Sequence, residues 1–342
     1  MSKSFGIGGV RNAAARAGRQ GNLTVWVALL LLIVASPILA PGSLSGSALR
    51  GMLPFAAVLA IAAIGQTLVI QQGGLDFSVP GAISLSAIIL THHADQHESG
   101  LIGAIVIALV VGTAAGALSG LLVARGSIQP IIATLGVGAL LVGVSDQVSN
   151  QLVVPAPAQF TNFMLEKTVG IPNTFLIAVV LVILVAIPMR KTVFGRQLEF
   201  TGTSPVAART AGLPVVRLRV AAYALAGTFY AIAGIVLAGY LGNPDIDAGN
   251  PYLLSTVTAV VLGGAALTGG RASVVATAVA ALFLVQLEQV ILASGSEVWA
   301  QYMIQGVVIA LAMLVRMVPW RTLTSHRHGR EPSAPTPRVE PT

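Results

Sequence analysis

The chain has 342 residues, 55% of them hydrophobic and only 9% charged, with a formal net charge of +7. A soluble domain carries about 25% charged residues, so this composition leaves no room for a water-soluble enzyme or binding domain of useful size. The absence of cysteine removes disulfides, thiolate metal sites and a cysteine nucleophile.

Residues 1–22 are basic and small, and read as an N-terminal segment ahead of the first apolar run, 23–41. Ser36-Pro37-Ile38-Leu39-Ala40 is not a convincing small-residue cleavage site, so this run is an expected uncleaved membrane helix. Apolar runs follow at 52–71, 78–91, 100–124, 129–148, 172–189, 218–241, 252–267, 272–293 and 298–318. A hydrocarbon core about 30 Å thick takes about 20 apolar residues per helix. The runs are rich in Ala, Leu and Gly and lack the alternation of barrel strands. The sequence therefore predicts an all-α polytopic membrane protein of about ten transmembrane helices over 23–320. A disordered tail, 321–342, is rich in His, Arg and Pro.

Charge sets the orientation. With the N-terminus inside and the spans alternating, the inner stretches carry every Lys and Arg except Arg50 and Lys167. Cationic loops stay cytoplasmic, so both termini are expected in the cytoplasm. The positive charge is spread over inner loops beside anionic lipid, which argues against nucleic acid as a partner.

Two spans, 78–91 and 252–267, are short, and both adjoin glycine clusters. One cluster is Gly73-Gly74 with Gly81; the other is Gly263-Gly264 with Gly269-Gly270. Short, glycine-interrupted helices often flank a translocation path, although glycine also serves close helix packing, as Gly112, Gly116 and Gly120 would. Gln66, Thr67, Gln71, Gln72, Ser84 and Ser86 give the second and third spans a polar stripe. Amides and hydroxyls can pass a polyhydroxylated solute by exchanging hydrogen bonds, or can bond between helices.

The inner loop 190–217 holds a capped helix over 204–212: Ser204 as cap, Pro205 in the first turn, Gly212 as stop. Such a helix suits docking to a cytoplasmic partner, or serves as a connector. The outer stretch 149–171 is stiffened by Pro155 and Pro157. His92, His93 and His97 match no common zinc spacing, and Gly-x-Ser-x-Gly is absent. No Lys follows a Gly, so there is no phosphate-binding P-loop, and ATP hydrolysis would need another subunit. Of the acidic residues near the spans, Asp76 lies beside the first glycine cluster and Glu288 within the ninth span, where it reads as a relay or a buried structural acid.

Gly65-Gln66-Thr67-Leu68-Val69-Ile70 followed by Gly73-Gly74-Leu75-Asp76-Phe77-Ser78-Val79 resembles the GGIDLSVG signature of the permease subunits of ribose/xylose/arabinose/galactose-type bacterial ABC importers. Three further stretches are similar to that family in the same order. They are Gln129–Gly136; Phe194-Gly195-Arg196 with Thr201-Gly202-Thr203, Ala207-Ala208-Arg209 and Ala211-Gly212-Leu213; and Val260–Gly264 ending at Gly269-Gly270. The likeness covers roughly 50–318. It implies a cobalamin-importer-like, type II permease fold in the bacterial inner membrane, carrying a monosaccharide or similar polyol. Its partners would be a second permease subunit, a cytoplasmic ABC ATPase and a periplasmic solute-binding protein, with no cofactor.

On that resemblance the pathway residues are Gln66, Thr67, Gln71, Gln72, Gly73, Gly74, Asp76, Ser78 and Ser84. Those coupling to the ATPase are Gly195, Arg196, Gly202, Ala207, Ala208, Arg209 and Gly212, within the loop 190–217. Gly263, Gly264, Gly269 and Gly270 serve packing or gating. Phe77, Pro80, Thr203 and Arg271 depart from the family pattern. An ion-coupled secondary transporter of a small polar solute is the alternative.

Overall fold

The structure, a computed structural model, describes the backbone of residues 7–94, 97–150 and 152–295 with a few positions beyond, and side chains from residue 23. The expected tail, 321–342, and most of the expected span 298–318 lie outside the described residues.

Twelve helices are described: α1 (Ile7–Leu39), α2 (Gly46–Gln71), α3 (Val79–Ala94), α4 (Glu98–Ala124), α5 (Pro130–Ser149), α6 (Ala158–Leu165), α7 (Asn173–Lys191), α8 (Val193–Thr203), α9 (Pro205–Thr210), α10 (Val215–Leu241), α11 (Tyr252–Leu262) and α12 (Val274–Ala293). Six of them, α2, α4, α5, α7, α10 and α12, are long and apolar enough to cross a membrane. Leu23–Leu39 of α1, α3 and α11 are shorter apolar helices. The molecule is a mostly helical, polytopic membrane protein.

Helix α2 is the axis of the bundle. From Ala56 to Gln71 every side chain is buried, and α10, α12, α7 and α11 pack around it. A membrane helix buried on all sides cannot rely on large side chains meeting lipid; it needs small residues that let backbones approach. A methyl group at Gly65 would come within 2.8 Å of the Ala226 carbonyl oxygen of α10. Gly112, Gly116 and Gly120 do the same for α4 against α10. A methyl at Gly112 would lie 2.7 Å from the Gly227 oxygen, and one at Gly120 would lie 2.9 Å from Val220 Cα. The small-residue spacing noted in the sequence is thus the α4–α10 seam.

Polar side chains pin neighbouring helices. Gln286 of α12 donates to Ser36 Oγ of α1 at 3.0 Å, and Thr113 and Thr228 share a 2.8 Å hydrogen bond between α4 and α10. The stretch 149–171, stiffened by its prolines, also carries regular structure from residue 158 on. It folds into α6, whose Phe160 and Met164 bury against Gly239 of α10, and a two-residue ribbon pairing Lys167–Thr168 with Ile171–Pro172.

Candidate functional site

Three chain segments distant in sequence meet at one end of the bundle. They are the break after α2, the helix α8, and the glycine run before α12. Gln71 and Gln72 close α2, and Gly73 turns the chain out of the helix at φ +74°, a conformation glycine adopts without steric cost. Gln72, buried, sends Nε2 to the Leu198 carbonyl of α8 at 2.9 Å. Gly270 donates its N–H to the Gln71 carbonyl, also at 2.9 Å.

At Gly202 and Gly269 no side chain fits. A methyl at Gly202 would overlap the Gln71 carbonyl oxygen. One at Gly269 would lie 2.8 Å from the Gly202 oxygen and 2.9 Å from the Gly73 nitrogen. Glycines assigned from the sequence to three separate roles, Gly73, Gly202 and the pair Gly269-Gly270, therefore form a single contact. A cavity of about 170 Å³ opens beside it, between Thr67 and Gln71 of α2, Arg190 of α7, Arg196 and Glu199 of α8, and Ser273.

Beyond Gly73 the chain enters the segment Gly74–Ser78. Asp76 is buried, and its Oδ1 accepts the Ser78 N–H at 2.9 Å and the Ser78 hydroxyl at 2.5 Å. This local loop satisfies a free N–H at the start of α3, where negative charge is also favoured. Burial drives the Asp76 carboxyl above the ordinary carboxylate range, and the two Ser78 hydrogen bonds oppose that drive. Thr134 of α5 braces the same segment from outside: its hydroxyl accepts the Phe77 N–H at 3.0 Å. The first and second family-like stretches are thus in contact.

On the other side stands α10. The Tyr223 hydroxyl rests on Gly74, where a methyl group would overlap it. Asp76 Oδ2, the Tyr223 hydroxyl and Arg219 Nε are buried and have no hydrogen-bond partner among the described residues. One helical turn pair further along, Tyr230 donates to Gln66 Oε1 at 2.9 Å.

Two further stripe residues, Thr67 and Ser84, bond within the chain. Thr67 donates to the Ala63 carbonyl at 2.6 Å and meets Thr277 at 3.2 Å. Thr277 in turn blocks any side chain at Gly263. Ser84 accepts the Gly249 N–H at 2.9 Å, while a side chain at Gly249 would overlap the Pro80 carbonyl. Gly264, in the glycine run after α11, has φ +104°.

In the loop 190–217 the capped helix lies where the sequence placed it. Ser204 Oγ accepts the Ala207 N–H at 3.3 Å, Pro205 is in the first turn, and Gly212 has φ +77°. Ahead of it stands α8, which sequence reasoning did not separate from the loop. Thr192 caps α8 by accepting the Gly195 N–H at 3.3 Å, and Gly195 packs on the Met189 carbonyl. Arg196, Arg209 and Gly212 are exposed, Ala207 is half-buried, and Ala208 is buried against its own chain. Arg271, noted as a departure from the family pattern, pairs through Nε with Glu199 Oε1 at 2.6 Å.

His92 is held within α3, its Nδ1 3.1 Å from the Ile88 carbonyl. Glu288 lines a separate cavity of about 370 Å³ at the opposite end of the bundle, with Phe55, Tyr252 and Ser255.

Residues 48–313 match the family model described as branched-chain amino acid transport system / permease component. The chain belongs to this permease family. Within it, the ribose import permease protein RbsC of Escherichia coli (strain K12) is 32% identical over 296 residues, covering 84% of this chain and 91% of the relative. The autoinducer 2 import system permease protein LsrD of Yersinia enterocolitica is 32% identical over 279 residues, covering 79% and 82%. LsrD of Yersinia pseudotuberculosis (strain YPIII) is 32% identical over 277 residues, covering 79% and 81%. No solved structure matches the chain. Family membership makes this a permease and accounts for the four sequence likenesses, which run from the α2 break to the glycine run before α12.

Proposed function

We propose that this permease is the membrane-spanning subunit of an ATP-binding cassette importer for a monosaccharide or similar polyol. The observation that carries this reading is the junction at the end of α2. The polar helix α8, which leads into the arginine-bearing α9, is hydrogen-bonded to the first glycine break and packed against the second. That is the construction a chain without its own P-loop needs if work done by a separate ATPase is to move a gate. The likeness to ribose and autoinducer 2 import permeases over about four fifths of the chain supports the solute class.

In this reading the nine apolar helices and the run 298–318 make ten spans of a type II, cobalamin-importer-like permease in the bacterial inner membrane, with both termini in the cytoplasm. Gln71 to Ser78 form the inner gate, with Gln66, Thr67 and Ser84 bracing it. Gly195, Arg196, Gly202, Ala207, Ala208, Arg209 and Gly212 build and present the ATPase-facing lever. A second permease subunit and a periplasmic binding protein complete the complex.

The test is uptake of labelled ribose into vesicles carrying the permease with its ATPase, with and without ATP and the secreted binding protein. Uptake that requires both supports the importer. Uptake that ignores ATP and collapses with a protonophore points to an ion-coupled carrier. Leucine uptake in place of ribose would keep the importer and change its solute class to the one in the family's description.

A further inference from the structure

Three pairs of consecutive residues close a ring at the end of α2. Gln72 bonds to the Leu198 carbonyl, Gly270 bonds to the Gln71 carbonyl, and Arg271 bonds to Glu199 at 2.6 Å. The ring therefore runs Gln71-Gln72, Leu198-Glu199, Gly270-Arg271. Its first two links are short backbone-directed bonds at a junction packed with glycine. The third link is different. It joins two long charged side chains that are 54% and 38% exposed.

An ion pair this open to water contributes little to folding, because solvent screens it and both side chains lose freedom in making it. Its position is informative instead. Without it, α8 is hydrogen-bonded only to the first glycine break, through Gln72, and meets the second only by the close packing of Gly202 and Thr203 on Gly269 and Gly270, a contact that can slide or separate. With it, α8 is bonded to both breaks, and a displacement of α8 in either direction is delivered to the run before α12 as well as to the end of α2. Arg190 of α7, 3.4 Å from Ser273 Oγ, places a second cation beside the same run, on the cavity that Glu199 also lines.

We infer that Glu199 and Arg271 are positioning residues that form a strut, making the cytoplasmic lever move both glycine breaks together. The inference rests on the importer reading, since it assigns the strut to transmission of work from the ATPase.

The experiment uses the full complex of permease, ATPase and binding protein in vesicles, and reads solute taken up per ATP hydrolysed. Glu199→Arg and Arg271→Glu should each lower that ratio by about fivefold or more, the lower end of ordinary coupling between two sites. ATP hydrolysis and membrane insertion should persist. Combining the two reversals should restore the ratio. Singles that match the parent, or a combined variant no better than the singles, would overturn the strut. Glu199→Gln and Arg271→Gln, which introduce no repulsion, serve if a reversal inserts poorly, and they should shift the ratio in the same direction.

The chain has no cysteine, so a variant with Glu199→Cys and Arg271→Cys carries only those two thiols. Bridging them with a short bifunctional methanethiosulfonate should recover coupling lost by the unbridged variant, and reductant should remove it again; a bridge that recovers nothing counts against transmission. Uptake by the parent complex, measured alongside, reports on the importer reading separately. Should that uptake prove to be driven by another energy source, the same reversal cycle on its rate decides the strut.

Discussion

Gln72 and Leu198, 126 residues apart, are joined by one buried hydrogen bond, from the amide Nε2 to the carbonyl oxygen at 2.9 Å. This bond ties the last turn of the central membrane helix to the polar helix α8. Replacing Gln72 with Met keeps the volume and leaves the Leu198 carbonyl without its donor. Stability should fall by about 1–3 kcal/mol, the cost of an unsatisfied buried group. Uptake per ATP should fall further than the amount of protein in the membrane does. Melting in detergent and vesicle transport check the two effects separately.

The glycine junction predicts a sharp contrast among single methyl additions. Gly202→Ala collides with the Gln71 carbonyl, and Gly269→Ala collides with Gly202 and Gly73 and also forces φ +92° on alanine. Each should cost more than about 2 kcal/mol, in the range of overpacked or strained sites. Gly136→Ala, inside helix α5, meets nothing within 4 Å and should be neutral or stabilising by up to about 1 kcal/mol. Thermal melts of the three purified variants decide this.

Asp76 separates stability from function. Its folded-state pKa is raised by burial, so its contribution to stability is fully present below the unfolded carboxylate pKa and is lost as pH rises through the folded value. Asp76→Asn keeps an acceptor for Ser78 and removes that loss. It should melt higher than the parent at neutral pH, with the gap closing as pH falls, while transport is impaired. Asp76→Ala removes the acceptor for both Ser78 donors and should transport least. Unchanged uptake in both variants at matched membrane levels would take Asp76 out of the gate.

Two tyrosines on one face of α10 should respond oppositely to loss of the hydroxyl. Tyr230→Phe strips the donor from Gln66 Oε1 and should destabilise by about 1–3 kcal/mol. Tyr223→Phe removes a buried hydroxyl with no partner among the described residues and should leave the melting temperature unchanged or higher. A fall in uptake by a stable Tyr223→Phe variant would show that the hydroxyl finds a partner, such as Asp76 Oδ2, during transport.

The proposed topology has its own check. A reporter fused after Gly212 should read cytoplasmic, and one fused after Gly170, at the exposed ribbon turn, should read periplasmic. The reverse signal at Gly212 would break the ten-span arrangement.

The residue sequence alone determined the class of this protein. Membrane helices follow from apolar run length, since each span satisfies its own backbone, while the orientation proposed from where Lys and Arg fall awaits the reporter fusions. The capped helix at 204–212 was also legible, because Ser204, Pro205 and Gly212 act on their immediate neighbours. Helix α8 was not, as its polar face has no long-range pattern in a loop full of charge. Tertiary structure decided the rest. It showed that the first glycine cluster, helix α8 and the second cluster are one contact, that Arg271 has a partner in Glu199, and that Gln66, Gln72 and Ser84 bond inside the chain. These pairings join residues far apart in sequence, and local propensity carries no information about which distant backbone a glycine will admit. Only the packing of α2 at the centre of the bundle brings Gln71, Gly202 and Gly270 to the same point.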